Sequence, residues 1–535
     1  MERYRDIVIV GGGVGGVAAA LAAADMGYSV LMSEPTQWIG GQLTSQAVPP
    51  DENPWIESFG GTWRYRQFRE KVRAYYRRNY RLSPDAQGVR YFNPGNATVS
   101  RLCHEPRVAL AVLHEMLAPH LHSGRLQILL GHRPVRADVD QDRVRAVELE
   151  PMSGAGDPVV VAGRFFLDAS ELGDLLPLTG TEYVTGAESQ AETGELHAPH
   201  DADPLNMQSI TMVFALDYRP GEDHTIDRPA AYAFWRDYQP QVTPAWPGPL
   251  FSWTHPIPTR LVPRTRTLFG PEDEPRPVDP SHNALWPYRR IIDRTNFAAD
   301  IYPSDISLVN WPQNDYLLGP IYEVSETDAA RHLQAARELS LSFLYWMQTE
   351  APRPNGGLGY PGLRLRSDVM GSDDGLALYP YVREARRIRA RFTVTEAHVG
   401  QAMRPKPYAS PFSDSVGIGY YNIDLHPSTA GDNYIDVPSW PFQIPLGALI
   451  PVRMENLLPA AKNLGTTHIT NGCYRLHPVE WNIGEAVGAL VGYCLRHRLV
   501  PSAVLESPDH LARYQALLDA SGIERAWPTI GARED

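Results

Sequence analysis

Three glycines near the start of the chain have a spacing that lets a diphosphate approach the backbone closely. Gly11, Gly13 and Gly16 fill the three positions of G-x-G-x-x-G, and an acidic residue, Glu34, follows them. Gly11 permits a tight turn, Gly13 has no Cβ to obstruct a pyrophosphate, and Gly16 allows a helix to pack closely. A carboxylate at Glu34 can accept hydrogen bonds from ribose hydroxyls. These residues predict a dinucleotide site, and an ordinary βαβ unit with a glycine-rich turn is the alternative.

The elements that must position these residues are a strand, a helix and a second strand. Asp6–Val10 ends in a continuous apolar run, which is typical of a strand in a sheet covered on both faces. A helix is predicted from about Val14, and its positive end would point at the phosphates. Ser29–Ser33 is predicted as the next strand, and Glu34 closes it. The first part of the chain is therefore predicted to be α/β.

Several later segments are predicted to complete this sheet. Arg164–Asp168 is predicted as a buried strand, and Asp168 at its carboxyl end could contact the cofactor or order the turn. A further strand and a helix are predicted at Glu455–Ala461 and from near Trp481 or Asn482. The other predicted elements are a helix at Glu105–His122, with Pro106 in its first turn, and strands at Leu126–His132, Val135–Asp140 and Arg143–Glu150.

The residue type at Glu34 narrows the choice of dinucleotide. A carboxylate there disfavours a phosphorylated ribose and therefore NADP, but it leaves both NAD and FAD open. The position of the motif at the start of the chain favours FAD. The following segment, TQWIGGQLTSQ, favours FAD further because Gly40 and Gly41 offer backbone N–H groups and Gln42 offers a side-chain amide. A simple surface turn is the alternative interpretation of this segment.

Together these motifs make the chain similar to a known family. It resembles the FAD-dependent oxidoreductases of the glutathione-reductase-like superfamily that carry a GGQ- or GGM-type loop. The similarity runs from about residue 5 to residue 498 and is weak between about 190 and 355. Beyond the glycine turn and the GGQ loop, the blocks that carry it are Glu105–Ala118, Arg164–Leu175, Leu378–Ile388, Asp414–His426, Asn456–Pro478 and Asn482–Leu495.

The sequence departs from the family pattern at a few positions. Ser170 and Glu171 stand where Thr-Gly is usual, and Lys462 replaces the usual small or basic residue after an alanine pair. The run that begins at Arg475 is also less apolar than in the family. Ser170 keeps a hydroxyl, so flavin binding is expected to survive. Glu171 places a carboxylate near the mouth of the cofactor site, and the sequence does not explain why it is there.

The resemblance implies FAD as the cofactor and indicates which residues would bind it. A helix N-terminus at Asn482–Gly488 would face the flavin N1 and C2 carbonyl, where negative charge develops on reduction. The residues expected to contact FAD are Gly11, Gly13, Val14, Gly15, Gly16, Glu34, Pro35, Gly40, Gly41, Gln42, Leu43, Thr44, Asp168, Ala169, Ser170, Asn482 and Ile483.

The loop expected beside the flavin ring carries four candidate catalytic residues. They are His468, Tyr474, Arg475 and His477, all within Gly465–Pro478. A neutral histidine can take a proton near pH 7, and a cation can stabilise reduced flavin or bind a substrate anion. His477 directly precedes a proline, so a purely structural role in the turn is an equal alternative.

A second group of candidates lies upstream. Arg383 and Glu384 fall in the segment YVREARR, predicted as helical, where a buried Arg–Glu pair would be structural. In the family this block faces the active site, which makes Arg383 a candidate catalytic residue. Further along, Asp424 lies between Tyr421 and His426 and could orient that histidine.

Composition excludes several other classes of function. The formal net charge of −13 argues against a nucleic-acid-binding surface. The chain has 3 cysteines and no C-x-x-C pair, which disfavours a redox disulfide and a structural zinc site. Scarce cysteines, no apolar run of membrane-spanning length and no signal peptide predict a cytoplasmic protein without a membrane contact. No sequence pattern indicates a metal site or a hydrolase triad.

The predicted fold is a Rossmann-like FAD-binding domain of the α/β class, interrupted by an inserted α+β substrate or cap domain. The FAD-binding domain comprises residues 1–188 and 356–498, the insertion 189–355, and a helical tail 499–535. Six of the 12 tryptophans lie in the insertion, where they could line a pocket or form the core. One long helix is predicted from Ser325, which starts a capping pattern with Asp328.

The sequence thus predicts an FAD-dependent oxidoreductase that oxidises a small organic substrate by hydride transfer to the flavin N5. The chain shows no second G-x-G-x-x-G between a strand and a helix, which disfavours a separate NAD(P)H domain. A flavin-dependent monooxygenase or halogenase is the main alternative, and a partner-binding protein with structural FAD is a third. The sequence does not define the substrate or the oligomeric state.

Overall fold

The computed structural model describes residues 2–270, 272–275 and 283–528. The strands of this part of the chain are β1 (Glu2–Val10), β2 (Val30–Glu34), β3 (Leu126–Leu130), β4 (His132–Asp140), β5 (Arg143–Pro151), β6 (Val159–Asp168), β7 (Tyr183–Val184), β8 (Ile210–Thr211), β9 (Phe214–Tyr218), β10 (Thr254–Pro256), β11 (Pro263–Thr265), β12 (Arg290–Ile292), β13 (Ile306–Val309), β14 (Asp315–Tyr316), β15 (Leu363–Leu365), β16 (Arg387–Ile388), β17 (Ser415–Gly419), β18 (Ile423–Leu425), β19 (Ile435–Val437), β20 (Phe442–Pro445) and β21 (Leu457–Pro459).

The α-helices alternate with these strands along the chain. They are α1 (Val14–Asp25), α2 (Trp63–Asn79), α3 (Pro84–Gln87), α4 (Pro106–His122), α5 (Leu175–Thr179), α6 (Gln190–Thr193), α7 (Tyr232–Asp237), α8 (Glu326–Thr349), α9 (Ser367–Met370), α10 (Glu396–Val399), α11 (His468–Tyr474), α12 (His477–His497), α13 (Pro501–Glu506) and α14 (Pro508–Ala520).

A seven-stranded sheet carries the glycine turn. Its strand order is β3-β2-β1-β6-β5-β4, and β21 pairs with the last residues of β6. The strands β1, β2, β3, β6 and β21 pair in parallel, whereas β4 and β5 form an antiparallel extension. Val10 lies opposite both Ser33 and Asp168, and Pro459 also lies opposite Asp168. The ends of β1, β2, β6 and β21 therefore meet at one edge, called the carboxyl edge below, where ligands bind in such sheets.

The predicted βαβ unit at the start of the chain is confirmed. The helix α1 begins at Val14 as predicted, and Glu34 is the last residue of β2. The strand β1 begins earlier than predicted, at Glu2, because its first residues still pair with β6. Mixed α/β architecture with a parallel sheet is thus observed, as expected for a Rossmann-like FAD-binding fold.

Two predictions for the closing segment are wrong in their bounds. The helix α12 begins at His477 and not near Trp481 or Asn482, because Pro478 suits the first helical turn. The segment predicted as a loop beside the flavin contains α11. Thr467 begins this helix, because its hydroxyl accepts a hydrogen bond from the Thr470 N–H.

The segment YVREARR is extended and not helical. Arg387 and Ile388 form β16, which pairs with β7. The guanidinium of Arg387 is buried between the carboxylates of Glu384 and Glu188, and these charge pairs outweigh the helix propensity of the sequence.

Glycines allow α1 and α12 to pack with their backbones in contact. A Cβ on Gly484 would lie 2.0 Å from the Gly15 carbonyl oxygen, and one on Gly15 would lie 1.8 Å from that of Ala460. A Cβ on Gly488 would lie 2.4 Å from the Ala19 carbonyl oxygen. The first helix of the chain is therefore held directly against β21 and α12, although both elements lie far from it in sequence.

Replacing Gly484 with alanine is expected to lower the free energy of unfolding by about 1–3 kcal/mol, because the added methyl would push two helix backbones apart. Gly492→Ala is the matched control on the same helix. Its Cβ would meet the flexible end of Met26, with the Sδ atom at 2.5 Å, and not a backbone. Urea unfolding of both variants measures the difference; equal stability of the two would contradict the close backbone contact.

A second sheet has its own hydrophobic core. It is antiparallel, with strand order β12-β13-β9-β15, and α8 packs in the same core. Ser325 caps α8 as predicted, because its side chain accepts a hydrogen bond from the Asp328 N–H. The strand β15 lies after residue 355, so this sheet extends past the predicted boundary of the insertion. The tryptophans of the segment are all buried in this core: Trp235, Trp246, Trp253, Trp286, Trp311 and Trp346.

The tail contains two helices, α13 and α14, where one was predicted. Each of these helices has a proline in its first turn, a position that suits the start of a helix, so α14 begins as a new helix after α13. In the ranges that the structure describes, no helix has the length and apolar character needed to cross a bilayer.

Candidate functional site

A cavity of about 510 Å³ opens at the carboxyl edge of the main sheet. Among the residues predicted to contact FAD, those that line it are Gly11, Gly13, Glu34, Pro35, Gly41, Ala169 and Ser170. These residues come from the ends of three strands and from the GGQ loop. The sheet therefore brings together the motifs that the sequence singled out.

The glycine turn has the geometry that its motif predicts. Gly11 has a φ of 99°, and a Cβ there would lie 2.2 Å from the Ala169 carbonyl carbon. A Cβ on Gly16 would lie 2.1 Å from the Gly11 carbonyl oxygen, so the helix rests on the turn. Gly13 is the N-cap of α1 and provides no side-chain cap, which leaves the helix N-terminus open to an anion.

Glu34 bridges the glycine turn and the loop after β2. One carboxylate oxygen accepts from the Gly12 N–H at 3.0 Å, and the other accepts from the Thr36 N–H and hydroxyl at 3.0 and 2.7 Å. The oxygen that faces Gly12 can accept a further hydrogen bond, as a ribose hydroxyl would require. Burial raises the pKa of Glu34 to about 7, against the lowering effect of Thr36.

Asp168 orders the turn after β6. Its carboxylate accepts hydrogen bonds from the Ser170 N–H, the Ser170 hydroxyl and the Leu175 N–H. Burial raises the pKa of Asp168 to about 7, against the Ser170 hydrogen bonds. Of the two roles that the sequence left open, these contacts favour the ordering of the turn. Ser170 itself lines the cavity.

Two of the departures from the family pattern, Glu171 and Lys462, form an ion pair with each other. Lys462 is fully buried, and its ammonium contacts the carboxylate of Glu171. A Cβ on Gly13 would lie 3.0 Å from the Glu171 Oε1, and one on Gly41 would lie 2.8 Å from the same atom. Glu171 thus lies between the glycine turn and the GGQ loop, and Lys462 compensates its charge.

Gln42 connects this region to the closing helix. Its amide donates to the Glu480 carboxylate at 2.5 Å and to the Arg475 carbonyl at 3.0 Å. The Gln42 Oε1 and Glu480 Oε1 atoms are buried without a hydrogen-bond partner among the described residues. Burial raises the pKa of Glu480 to about 7, against the lowering effect of Lys462. Neither residue lines the cavity, so these two oxygens are buried acceptors behind its surface.

The raised pKa of Glu480 predicts a pH dependence of stability. The folded chain binds this proton more tightly than the unfolded chain, so the contribution is complete below pH 4.5 and is lost as pH rises through about 7. Between pH 4.5 and about 7, we expect the free energy of unfolding of the Glu480→Gln variant to fall less steeply than that of the wild type. Urea unfolding at pH 4.5, 6 and 7.5 measures the slope, and an unchanged slope would contradict the assignment.

The other residues that were predicted to contact FAD do not line this cavity. Asn482 lies inside α12, where its side chain accepts from the Ile418 N–H at 3.2 Å and donates to the Val416 carbonyl at 3.3 Å. The remaining residues do not line the cavity in the described part of the chain: Val14, Gly15, Gly16, Gly40, Gln42, Leu43, Thr44, Asp168 and Ile483. Their assignment as FAD contacts stays a prediction. The open N-terminus of α1 and the glycine turn in front of it fit the pyrophosphate of FAD.

A second cavity has a volume of about 500 Å³. Arg383 and Arg475, two of the five predicted catalytic residues, line it. Arg475 donates to the Tyr381 hydroxyl at 2.7 Å and to the Asp424 carboxylate at 3.1 Å, while its carbonyl accepts from Gln42. The layer that Gln42, Arg475 and Tyr381 form thus connects the cofactor motif to this cavity.

The wall of the second cavity holds a histidine oriented by a buried carboxylate. The Nδ1 of His426 lies 2.6 Å from the Asp315 Oδ2. Burial alone would raise the pKa of Asp315, but Arg383 and His426 lower it to about 2, so it is ionised and can only accept. The proton therefore sits on Nδ1, and Nε2 keeps its lone pair, 3.9 Å from the nearest Asp424 oxygen. Burial and the Arg383 charge lower the pKa of His426, so the ring is neutral near pH 7.

The remaining predicted catalytic residues contact protein groups elsewhere. His468 pairs with Glu384 at 2.9 Å, and that charge raises its pKa although burial lowers it. Tyr474 donates to the Gln443 carbonyl at 2.7 Å. The Nδ1 of His477 accepts from the Asp51 N–H at 3.1 Å, and burial lowers its pKa to about 3. None of the three lines either of these two cavities, and their catalytic roles stay predictions.

Sequence reasoning missed several residues of both cavities. It identified His426 but paired it with Asp424, two positions away, whereas Asp315 comes from a distant strand. It did not identify Arg289 or Asp51, which also line the second cavity. No spacing signal connects these residues, because they come from separate elements. In the described ranges, no group of three His, Cys, Asp or Glu side chains could hold a metal ion.

Comparison with known proteins gives a family match that covers most of the chain. The sequence model of a family described as "FAD dependent oxidoreductase" matches residues 6–518. The FAD-dependent monooxygenases atnJ of an Arthrinium species and ntnJ of a Nectria species are 44% and 41% identical over 54 residues, 10% of this chain. The chain spans 13% of the length of these curated relatives. A solved geranylgeranyl bacteriochlorophyll reductase-like protein from Thermoplasma acidophilum aligns over 98% of this chain and 85% of its own, with 9% identity and a TM-score of 0.29.

Proposed function

Because the chain belongs to the FAD dependent oxidoreductase family and is an enzyme with FAD as its cofactor, we propose that it oxidises a small organic substrate bound in the second cavity. The observation that carries this proposal is the pairing of His426 with Asp315 on the wall of a cavity whose Arg475 accepts a hydrogen bond from Gln42 of the GGQ loop. A neutral histidine with a free Nε2 is suited to accept a proton from a substrate O–H or N–H group.

FAD, when bound, supplies a hydride acceptor at N5. The substrate loses a hydride from carbon and a proton from the neighbouring oxygen or nitrogen, and the proton goes to the Nε2 of His426. Asp315 holds the imidazole in the required tautomer and stabilises the positive charge that forms on it. Arg383 fixes Asp315 through a contact of 3.0 Å, and Arg475 fixes Tyr381 against the GGQ loop.

A flavin-dependent monooxygenase is the second candidate function. Two curated relatives carry that description, although the match covers a short segment. In that case NAD(P)H, and not the substrate, would reduce the flavin before reaction with oxygen. The sequence offers no second dinucleotide fold for it, so the reductant would bind transiently.

An anaerobic reduction assay separates the two functions. The purified holoenzyme is mixed without oxygen with candidate alcohols, amines and their acids, and separately with NADH and NADPH, while the flavin absorbance is recorded. We expect an organic substrate to bleach the flavin. Bleaching by NAD(P)H alone would favour the monooxygenase and contradict the proposal.

Finer features of the classification are also proposals. Gly40, Gly41 and Gln42 support placement in the GGQ-loop type of the glutathione-reductase-like superfamily. The segment between the two parts of the FAD-binding domain is proposed as the substrate or cap domain, since Arg289 and Asp315 come from it. A cytoplasmic location is proposed from the scarcity of cysteines.

A further inference from the structure

Arg289 of the second cavity has two buried donors that no described protein group satisfies, whereas Arg383 and Arg475 each have one, the Nε. The Arg289 side chain lies just before β12, is 9% exposed and lines the cavity. Its Nε and Nη1 atoms are buried without a hydrogen-bond partner among the described residues. A buried guanidinium normally has its N–H groups satisfied, because leaving them unpaired is costly.

The nearest acid does not satisfy this arginine. The Asp51 Oδ2 lies 3.9 Å from the Arg289 Nη1, beyond hydrogen-bond distance, and the Asp51 Oδ1 also lacks a partner in the described ranges. The Asp51 backbone is fixed separately, because its N–H donates to His477. Asp51 therefore balances the charge of Arg289 at a distance but leaves its N–H groups free to bind a ligand.

The two other fully buried arginines of the cavity differ from Arg289. The terminal nitrogens of Arg383 contact Asp315 at 3.0 Å and the Thr211 hydroxyl at 3.0 Å. Those of Arg475 contact Tyr381 and Asp424. Each has a structural partner for its charge within hydrogen-bond distance. Among these three arginines, Arg289 is the one whose guanidinium has no acidic or polar partner within hydrogen-bond distance in the described ranges.

The ring of Tyr288 holds Arg289 in place. The guanidinium carbon lies 5.2 Å from the ring centroid, a distance typical of a cation–π contact. This contact limits the movement of the guanidinium, while its Nε and Nη1 donors stay unpartnered among the described residues. A carboxylate can accept two parallel N–H hydrogen bonds from Nη2 together with either Nε or Nη1, because each of these pairs lies on one edge of the guanidinium.

We propose that the substrate of this enzyme is a carboxylic acid and that Arg289 binds its carboxylate in the second cavity. The inference rests on the proposed function in one respect, that the second cavity is the substrate site. His426 lines the same cavity, so the carboxylate anchors the molecule at Arg289 while the oxidisable O–H or N–H group is presented to the base.

The test uses benzoate and benzamide, which have the same shape but differ in charge. Each is titrated into the FAD-loaded wild-type enzyme by isothermal calorimetry, which does not depend on turnover. We expect benzoate to bind and benzamide to bind about 10-fold more weakly or worse, a difference of about 1.4 kcal/mol. Equal affinity for the two, or no binding of benzoate, would overturn the proposal without any variant.

Three variants locate the binding group. Arg289→Met is expected to weaken benzoate at least about 10-fold, and Arg289→Lys to weaken it less because it keeps the charge without the planar fork. Arg236→Met removes a charge from an exposed arginine paired with Asp237 and should leave the affinity unchanged. Unchanged benzoate binding in Arg289→Met would show that Asp51 already satisfies the arginine and would overturn the proposal.

These outcomes are separable from those of the proposed function. If benzoate binds through Arg289 but no organic substrate reduces the flavin anaerobically, the carboxylate site stands and the proposed oxidation fails. If a neutral substrate reduces the flavin and benzoate does not bind, the oxidation stands and the carboxylate site fails.

Discussion

Replacement of His426 with glutamine is expected to slow the anaerobic reduction of bound flavin about 10²–10⁴-fold, the range that a lost general base accounts for. The neutral ring accepts the substrate proton at Nε2, and glutamine has no group of comparable basicity. Stopped-flow absorbance of the flavin measures the rate, with the substrate identified in the anaerobic screen. The flavin content should stay that of the wild type, because His426 lines the second cavity and not the first.

His255 provides a matched control for this prediction. It lines the same cavity, but its Nδ1 faces the Pro256 carbonyl at 2.9 Å and no carboxylate orients it. We expect His255→Gln to lose less than about 10-fold in rate. A His426 variant that reduces its flavin as fast as the His255 variant would exclude His426 as the base.

Replacement of Gly13 with valine is expected to weaken FAD binding by more than about 100-fold, or about 2.7 kcal/mol, while the fold persists. The new side chain would fill the space in front of the open N-terminus of α1, where the pyrophosphate must approach. The nearest atoms to its Cβ are the Glu171 Oε1 at 3.0 Å, the Ala169 carbonyl oxygen at 3.6 Å and the Glu480 Oε1 at 3.7 Å. The closest is the end of a flexible side chain, so the protein can accommodate the change and FAD cannot.

Flavin fluorescence during titration of the apoprotein with FAD measures this affinity, and circular dichroism monitors the fold. Gly88→Val is the control, since a Cβ there would have only the Asp85 carbonyl oxygen nearby, at 4.0 Å, and the residue lies far from the motif in sequence. Wild-type FAD affinity in the Gly13 variant would contradict the placement of the pyrophosphate at this turn.

The cofactor half of the site was predictable because its signals are local. The spacing of Gly11, Gly13 and Gly16 favours a tight turn, and the alternating elements around it predicted the βαβ unit that β1, α1 and β2 form. The bounds of α11 and α12 were missed because they depend on the cap at Thr467 and on Pro478 in the first helical turn, within a segment that was predicted as a loop.

The second cavity was not predictable in the same way. Arg289 precedes β12, Asp315 lies in β14 and His426 follows β18, and only tertiary packing of these three separate sheets brings the residues together. The segment YVREARR shows the same limit, because buried charge pairs with Glu188 and Glu384 override its helix propensity. The spacing of residues within a short segment does not indicate which distant residues they will contact in the folded chain.

The close contact of α1 with α12 and β21 has a consequence for biosynthesis. A nascent chain that has emerged only as far as the glycine turn lacks the surface on which its first helix rests, because residues 457–497 are translated much later. Contacts of such long sequence separation close late in folding. The first helix, which is buried along its length in the folded protein, therefore stays without its partners until residues 457–497 have emerged.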